Sequence, residues 1–378
     1  MSIPDLFTPI RLGELELRNR IVMAPLTRGR AAEGNVPSSL AVTYYTQRAG
    51  AGLIVSEASQ ILQEGQAYPR APGIHTDAQV AGWRRVTDAV HAQGGQIVLQ
   101  LWHTGRNSHP VYQEDGGLPV APSAVNAGGI TLGRNNEKLD RVTPRALETE
   151  EVVQRVEAFA AAAARAKQAG FDGVEIHGAN GYLIDQFLRD GSNLRTDRYG
   201  GSIENRARFL FEVTEAVIDA WGGSGRVGLR LSPAGEHNGQ YDSNPTAVFT
   251  HVAERLNRYD LAFLHVIEPA LEGHRMGPPP GKPRVAPTLR RIYTGPMILN
   301  GAFDKASATA ALADGSADAV AFGTPFIANP DLVERFRRDL PLAEADSSTF
   351  YTDGPKGYID YPSFEDSLPQ AWSTAQVA

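Results

Sequence analysis

The 378-residue sequence predicts a (β/α)8 barrel, and three observations carry that reading. Short apolar segments recur eight times and are mostly continuous in apolarity, as parallel strands buried on both faces are. Helical patterns fill most of the intervals between them, over 77–93, 148–168, 202–219, 246–257 and 305–314. Glycines stand where helices should stop, with Gly94-Gly95 and Gly170 each just before the next strand. A doubly wound open sheet uses the same alternation and is the alternative.

Taken in order, Leu12-Gly13-Glu14-Leu15-Glu16-Leu17 alternates and reads as a hairpin capping the barrel floor. The strands are 21–26, 53–58, 97–102, 172–177, 226–232, 261–267, 296–300 and 318–323. A bare barrel needs about 250 residues, so the excess must lie in insertions. The main one is 104–147, rich in Gly, Pro and Asn, which leaves the C-terminal end of strand 3 where barrel enzymes place active-site loops. A second loop, 268–287, contains Pro278-Pro279-Pro280. A tail from about 341 to 378 carries Tyr351, Tyr358 and Tyr361. No linker interrupts the pattern, so 1–378 reads as a single domain.

Composition narrows the chemistry. There is no cysteine, which excludes disulfides, thiolate metal sites, iron–sulfur clusters and a thiol nucleophile together. The 36 basic and 43 acidic residues give a net charge of −7, and no basic cluster appears, which argues against nucleic acid. Met1-Ser2-Ile3-Pro4-Asp5 has neither a basic start nor an apolar core of a signal peptide. No stretch reaches the roughly 18 apolar residues of a membrane span. A cytoplasmic protein, monomer or homodimer, with a small-molecule substrate and no metal is the expectation.

Strand alternation sorts the polar residues. Leu99 and Leu101 share one face of strand 3, with Val98, Gln100 and Trp102 opposite. Val227, Leu229 and Leu231 share one face of strand 5, with Gly228, Arg230 and Ser232 opposite. The aliphatic faces should meet the helices, which turns Gln100 and Arg230 into the barrel, with Glu175 and His177 of strand 4 beside them. Leaving such an amide unpaired costs roughly 2–7 kcal/mol. One pairing is internal, Arg230 with Glu175 or Glu57 and Gln100 on backbone carbonyls. The other is a flat polar ligand across the barrel top. Asn300-Gly301-Ala302 and Gly323-Thr324-Pro325 follow strands 7 and 8, where barrels bind phosphate. Together these suggest a phosphorylated flat cofactor.

Two motifs are decoys. Gly223-Ser224-Gly225-Arg226-Val227-Gly228 matches G-x-G-x-x-G but precedes a strand instead of following one, so a turn is expected. Gly281-Lys282 lacks the P-loop spacing, because position 276 is Met.

Strand 4 runs into His177-Gly178-Ala179-Asn180-Gly181-Tyr182, which gathers two hydrogen-bond donors and a phenol at the active end. In this stretch the chain resembles the Old Yellow Enzyme family of FMN-dependent ene-reductases. Further in-order matches are Leu6-Phe7-Thr8-Pro9, the run from Asn19 to Arg28, Gln100-Leu101-Trp102-His103, the run from Arg198 to Arg206, and Gly357-Tyr358-Ile359-Asp360-Tyr361-Pro362. The resemblance spans nearly the whole chain. It implies non-covalent FMN, contacted by Ala24, Pro25, Leu26, Thr27 and Ala58, with Gln100 on the pyrimidine edge and Arg230 near N1 and O2. Asn300, Gly301, Ala302, Gly323 and Thr324 would surround the phosphate. His177 and Asn180 would bind the substrate's oxygen, and Trp102, Tyr68 and Tyr351 would shape the pocket. Tyr182 would be the proton donor, since a phenol with pKa about 10 is protonated at neutral pH.

The implied activity is a ping-pong reduction of activated C=C bonds in α,β-unsaturated carbonyl compounds, with nitro compounds as a further class. NADPH or NADH would be the reductant. Thr27, where another branch carries Cys, places the chain with the classical members. Thr324 departs from the pattern, since most relatives have Arg after this glycine. The competing reading is a metal-dependent barrel hydrolase using Glu57, His103, His177 and His265 at strand ends. It leaves Gln100 and Arg230 unexplained.

Overall fold

The computed structural model describes residues 4–270, 274, 277, 278 and 281–367. Pro279 and Pro280 of the triple proline, Met276 and the tail from 368 onward lie outside the described residues. Eight parallel strands close into a barrel: β1 (Ile21–Met23), β2 (Leu53–Val55), β3 (Ile97–Trp102), β4 (Gly173–Gly178), β5 (Val227–Leu231), β6 (Phe263–Ile267), β7 (Met297–Asn300) and β8 (Ala319–Phe322). Each pairs with the next, and β8 returns to β1, so no edge is left open. The alternative open sheet is therefore set aside.

Helices α1 (Ser39–Gln47), α2 (Asp77–Ala92), α3 (Thr149–Gln168), α4 (Ile203–Trp221), α5 (Pro245–Leu256), α6 (Ala286–Ile292), α7 (Lys305–Ala313) and α8 (Leu332–Arg337) surround the barrel. Local chemistry sets their ends. Thr76 and Gln79 form a capping box at the start of α2, and Asp304 with Ser307 does the same for α7. Gly94 and Gly170 take positive φ of 67° and 84° just after α2 and α3, which glycine tolerates without a Cβ clash.

The face assignment holds. Leu99, Leu101, Val227, Leu229, Leu231, Val174 and Ile176 are buried in the layer between strands and helices. The barrel interior is a second apolar cluster that includes Val22, Leu53, Val98, Phe263, Ile298 and Ala319, closed below by Leu12, Leu15 and Leu17. Those three leucines sit on the antiparallel hairpin of Ile10–Leu12 with Leu15–Leu17, which plugs the barrel floor. Gly228 faces inward because a Cβ there would lie 2.2 Å from the Phe263 ring. The G-x-G-x-x-G decoy is a turn, in which the Val227 amide donates to the Ser224 carbonyl.

Strands 1 and 2 end three residues earlier than the apolar runs suggest, at Met23 and Val55. The residues beyond leave the ladder because they shape what lies above the barrel. The 104–147 insertion contains an antiparallel ribbon, Ile130–Leu132 with Lys138–Asp140, and Val120–Ala121 pairs in parallel with Arg145–Ala146. A short helix, Thr324–Ala328, follows β8. Among the described residues, no helix is long and apolar enough to cross a membrane.

Candidate active site

A cavity of about 800 Å³ opens where β1, β7 and β8 end. Ala24, Pro25, Leu26, Thr27, Tyr68, Asn180, Tyr182, Arg230, Asn300, Gly301, Ala302, Gly323, Thr324 and Tyr351 all line it. Among the described residues, Ala58, Gln100, Trp102 and His177 are not on this wall. Trp102 and His177 instead pack edge-on against Tyr182, at ring-centroid distances of 5.2 and 5.0 Å. Ala58 packs in a small apolar cluster with Trp102 and Tyr182.

Neither internal pairing expected for the inward residues forms. Arg230 donates through Nη2 to Oδ1 of Asn300 at 2.7 Å, not to Glu175 or Glu57. Asn300 in turn donates its amide to the Ala321 carbonyl, so its side chain holds Arg230 in place. Gln100 donates to Oε1 of Glu175 at 2.7 Å instead of using backbone carbonyls. The other oxygen of Glu175 accepts from His265 Nδ1 at 2.7 Å. Glu175 and Gln100 are register partners on adjacent strands, which is why they meet. Arg230 Nε is buried with no acceptor among the described residues. A buried guanidinium donor without a partner is costly, and because Arg230 also lines the cavity, this donor is available to a ligand there.

His177 is buried, and burial with the Arg230 charge pushes its pKa well below the ordinary histidine value. The ring is therefore neutral. Its Nδ1 accepts from the Ala179 amide at 3.3 Å, which leaves the proton on Nε2 as a donor. Asn180 adopts a positive φ of 60°, and its amide donates to Ser232 Oγ at 2.7 Å. Its side-chain Oδ1 is buried and unpartnered among the described residues. Burial, then the neighbouring Tyr68, pushes the Tyr182 hydroxyl well above 10, so it keeps its proton. Tyr68 and Tyr182 hydroxyls lie 3.2 Å apart.

The residues expected around a phosphate meet on this cavity. Ala302 holds a positive φ of 55°, a conformation a non-glycine residue avoids unless its surroundings require it. Gly301 is required for another reason, since a Cβ would fall 2.5 Å from the Pro269 nitrogen. Gly323 caps the short helix that begins at Thr324, whose first amides have no helical acceptor.

The strand-end residues of the hydrolase reading do not converge. His103 pairs with Glu64 at 3.1 Å, His265 with Glu175, and Glu57 accepts from the Arg28 amide and the Tyr45 hydroxyl. Among the described residues, no group of three or more His, Cys, Asp or Glu could hold a metal.

Comparison with known proteins agrees with this geometry. The profile of the NADH:flavin oxidoreductase / NADH oxidase family matches residues 5–343. The chain belongs to that family. It is 49% identical to morphinone reductase, with a TM-score of 0.92 and coverage of 98% of this chain and 99% of the other. It is 48% identical to the Old Yellow Enzyme homologue from Zymomonas mobilis, with a TM-score of 0.91 and coverage of 95% and 99%. A Leishmania infantum protein named as a probable flavin mononucleotide-dependent alkene reductase is 46% identical over 365 residues, 96% of this chain and 98% of the other. The protein is thus an FMN-dependent reductase of the Old Yellow Enzyme type, and the hydrolase reading is set aside.

The site also contains residues that carry no signal in the sequence. Phe303, Ile267, Leu132 and Phe350 are among the further residues on the cavity wall. Asn238 donates to the Asn180 carbonyl at 2.9 Å and accepts from Arg141 of the long insertion at 2.8 Å. Only the neighbourhood of Asn180 hinted at it, because the loop after β5 has no motif of its own.

Proposed function

We propose that the chain acts as one catalytic domain that reduces activated C=C bonds of α,β-unsaturated carbonyl compounds, and of nitro compounds as a second class. The observation that supports this best is one cavity that presents the Arg230 cation on its floor and Asn180 and Tyr182 on its wall. When bound, FMN supplies the hydride that it has taken from NADPH or NADH. Arg230 stabilises negative charge on the cofactor's polar edge. Gln100 gives one of its two amide N–H groups to Glu175 and has its oxygen and the second N–H to offer. Gly301, Ala302, Gly323 and Thr324 hold the phosphate end.

His177 and Asn180 bind the substrate's oxygen and draw charge toward it, so that the β-carbon accepts hydride. Tyr182 gives its proton to the α-carbon. The neutral imidazole suits this role, since Nε2–H donates without adding a full charge. Trp102, Tyr68 and Tyr351 bound the substrate, and Thr27 and Ala58 lie on the cofactor side. NADPH or NADH serves as the reductant, in a cytoplasmic enzyme that works as a monomer or homodimer.

The test is colour. Purified protein is expected to be yellow, to bleach anaerobically with NADPH and to recolour on addition of cyclohexenone. A colourless protein that ignores added FMN would sink the reading.

A further inference from the structure

We propose that Arg30, which is not on the cavity wall, is a positioning residue that sets the shape of the substrate cavity by clamping the segment 347–360 above it. This rests on the reading that the cavity takes the substrate.

Two residues of that segment, Phe350 and Tyr351, line the cavity together with Thr27 and Arg28. Tyr351 is 58% exposed, and among the described residues no hydrogen bond holds its side chain. Its position is therefore set by the backbone that carries it. That backbone is tied down almost entirely by arginine. Arg30 donates to the carbonyls of Thr349 at 2.9 Å, Phe350 at 3.1 Å, Gly354 at 3.1 Å and Lys356 at 2.9 Å, and to the Thr352 hydroxyl at 3.0 Å. It also donates to the Arg28 carbonyl at 2.6 Å. All five N–H groups of the fork are thus in use, mostly on one loop.

Arg30 is buried, yet among the described residues no carboxylate pairs with it directly. Its charge is balanced by carbonyl dipoles and by the face of Tyr358, whose centroid lies 4.8 Å away. Tyr358 is fully buried and stacks on Tyr44 of α1 at 4.1 Å. Arg28 adds bonds to the Phe350 and Gly357 carbonyls. So the loop after β1, which carries Thr27, and the segment that carries Tyr351 are held as one unit. A lysine at position 30 could reach only some of these carbonyls, because its donors radiate from one point.

The experiment uses FMN-loaded enzyme with Arg30→Met, Tyr351→Ala and the double variant. Binding of 4-methoxyphenol is followed by the flavin absorbance change, and amide hydrogen exchange is followed over 347–360. Arg30→Met is expected to raise exchange in that segment and to weaken phenol binding about tenfold. The double variant should be no weaker than the worse single, because both changes remove the same wall. Arg30→Lys should recover part of the binding, and it stands in if Arg30→Met does not fold. Unchanged exchange, phenol binding within about twofold of wild type, or losses that add in the double variant would each overturn the proposal. If the wild type binds FMN but no phenol, the cavity reading fails and the positioning role falls with it. The exchange result then still shows whether the clamp exists.

Discussion

Arg230 and Asn300 are joined by one hydrogen bond of 2.7 Å across the top of the barrel, from Nη2 to Oδ1. They lie on β5 and β7, and Asn300 is fixed in turn by its bond to the Ala321 carbonyl of β8. The cation on the cavity floor is therefore oriented by a side chain of β7 that is itself tied to β8, not by a counter-ion. A hydrogen bond to a charged group contributes about 1.5–3 kcal/mol. Asn300→Leu should thus weaken FMN binding roughly 10- to 100-fold, measured by recovery of flavin fluorescence on release. Affinity within twofold of wild type would show that Arg230 needs no such anchor.

Glu57 gives a pH signature. It is buried, and burial pushes its carboxyl from 4.5 up to about 7, despite the Arg28 amide and the nearby Arg28 and Arg30 charges. A carboxyl raised in the folded state favours folding in acid. Its contribution is complete below about 4.5 and is lost as pH rises through about 7. That shift corresponds to about 3 kcal/mol. Glu57→Gln removes the titration. The melting temperature of the variant should lose less between pH 5 and 8 than that of the wild type, and parallel curves would rule Glu57 out as the titrating group.

Thr324 begins the short helix after β8 and lines the cavity. Its hydroxyl and amide can bind phosphate oxygens, but no charge-assisted contact comes from this position. Thr324→Arg is therefore expected to retain FMN more tightly, by about tenfold or less. Dialysis against potassium bromide, followed by flavin absorbance, measures it. Equal or weaker retention in the variant would contradict the expectation.

Much of this was legible in the sequence, for reasons that differ by residue. Buried parallel strands announce themselves by continuous apolarity, so all eight were found. The alternation in β3 and β5 was enough to turn Gln100 and Arg230 inward. It could not say what they meet, because partners such as Asn300 and Glu175 sit on other strands, and register is a tertiary property. Helix α1 escaped notice, since Val42, Thr43, Tyr44 and Tyr45 are poor helix formers; burial of the two tyrosines decides its state. The Arg30 clamp was hidden for the same reason. It joins positions more than three hundred apart in the chain through backbone carbonyls, which leave no mark in side-chain identity.

In the proposed reaction Tyr182 supplies the proton while the rest of the site supports hydride transfer. Anaerobic stopped-flow on Tyr182→Phe separates the two half-reactions. Flavin reduction by NADPH should stay within about threefold of wild type, while reoxidation by cyclohexenone should slow by roughly 10²-fold or more, the usual worth of a general acid. Reoxidation at the wild-type rate would contradict the assignment of Tyr182.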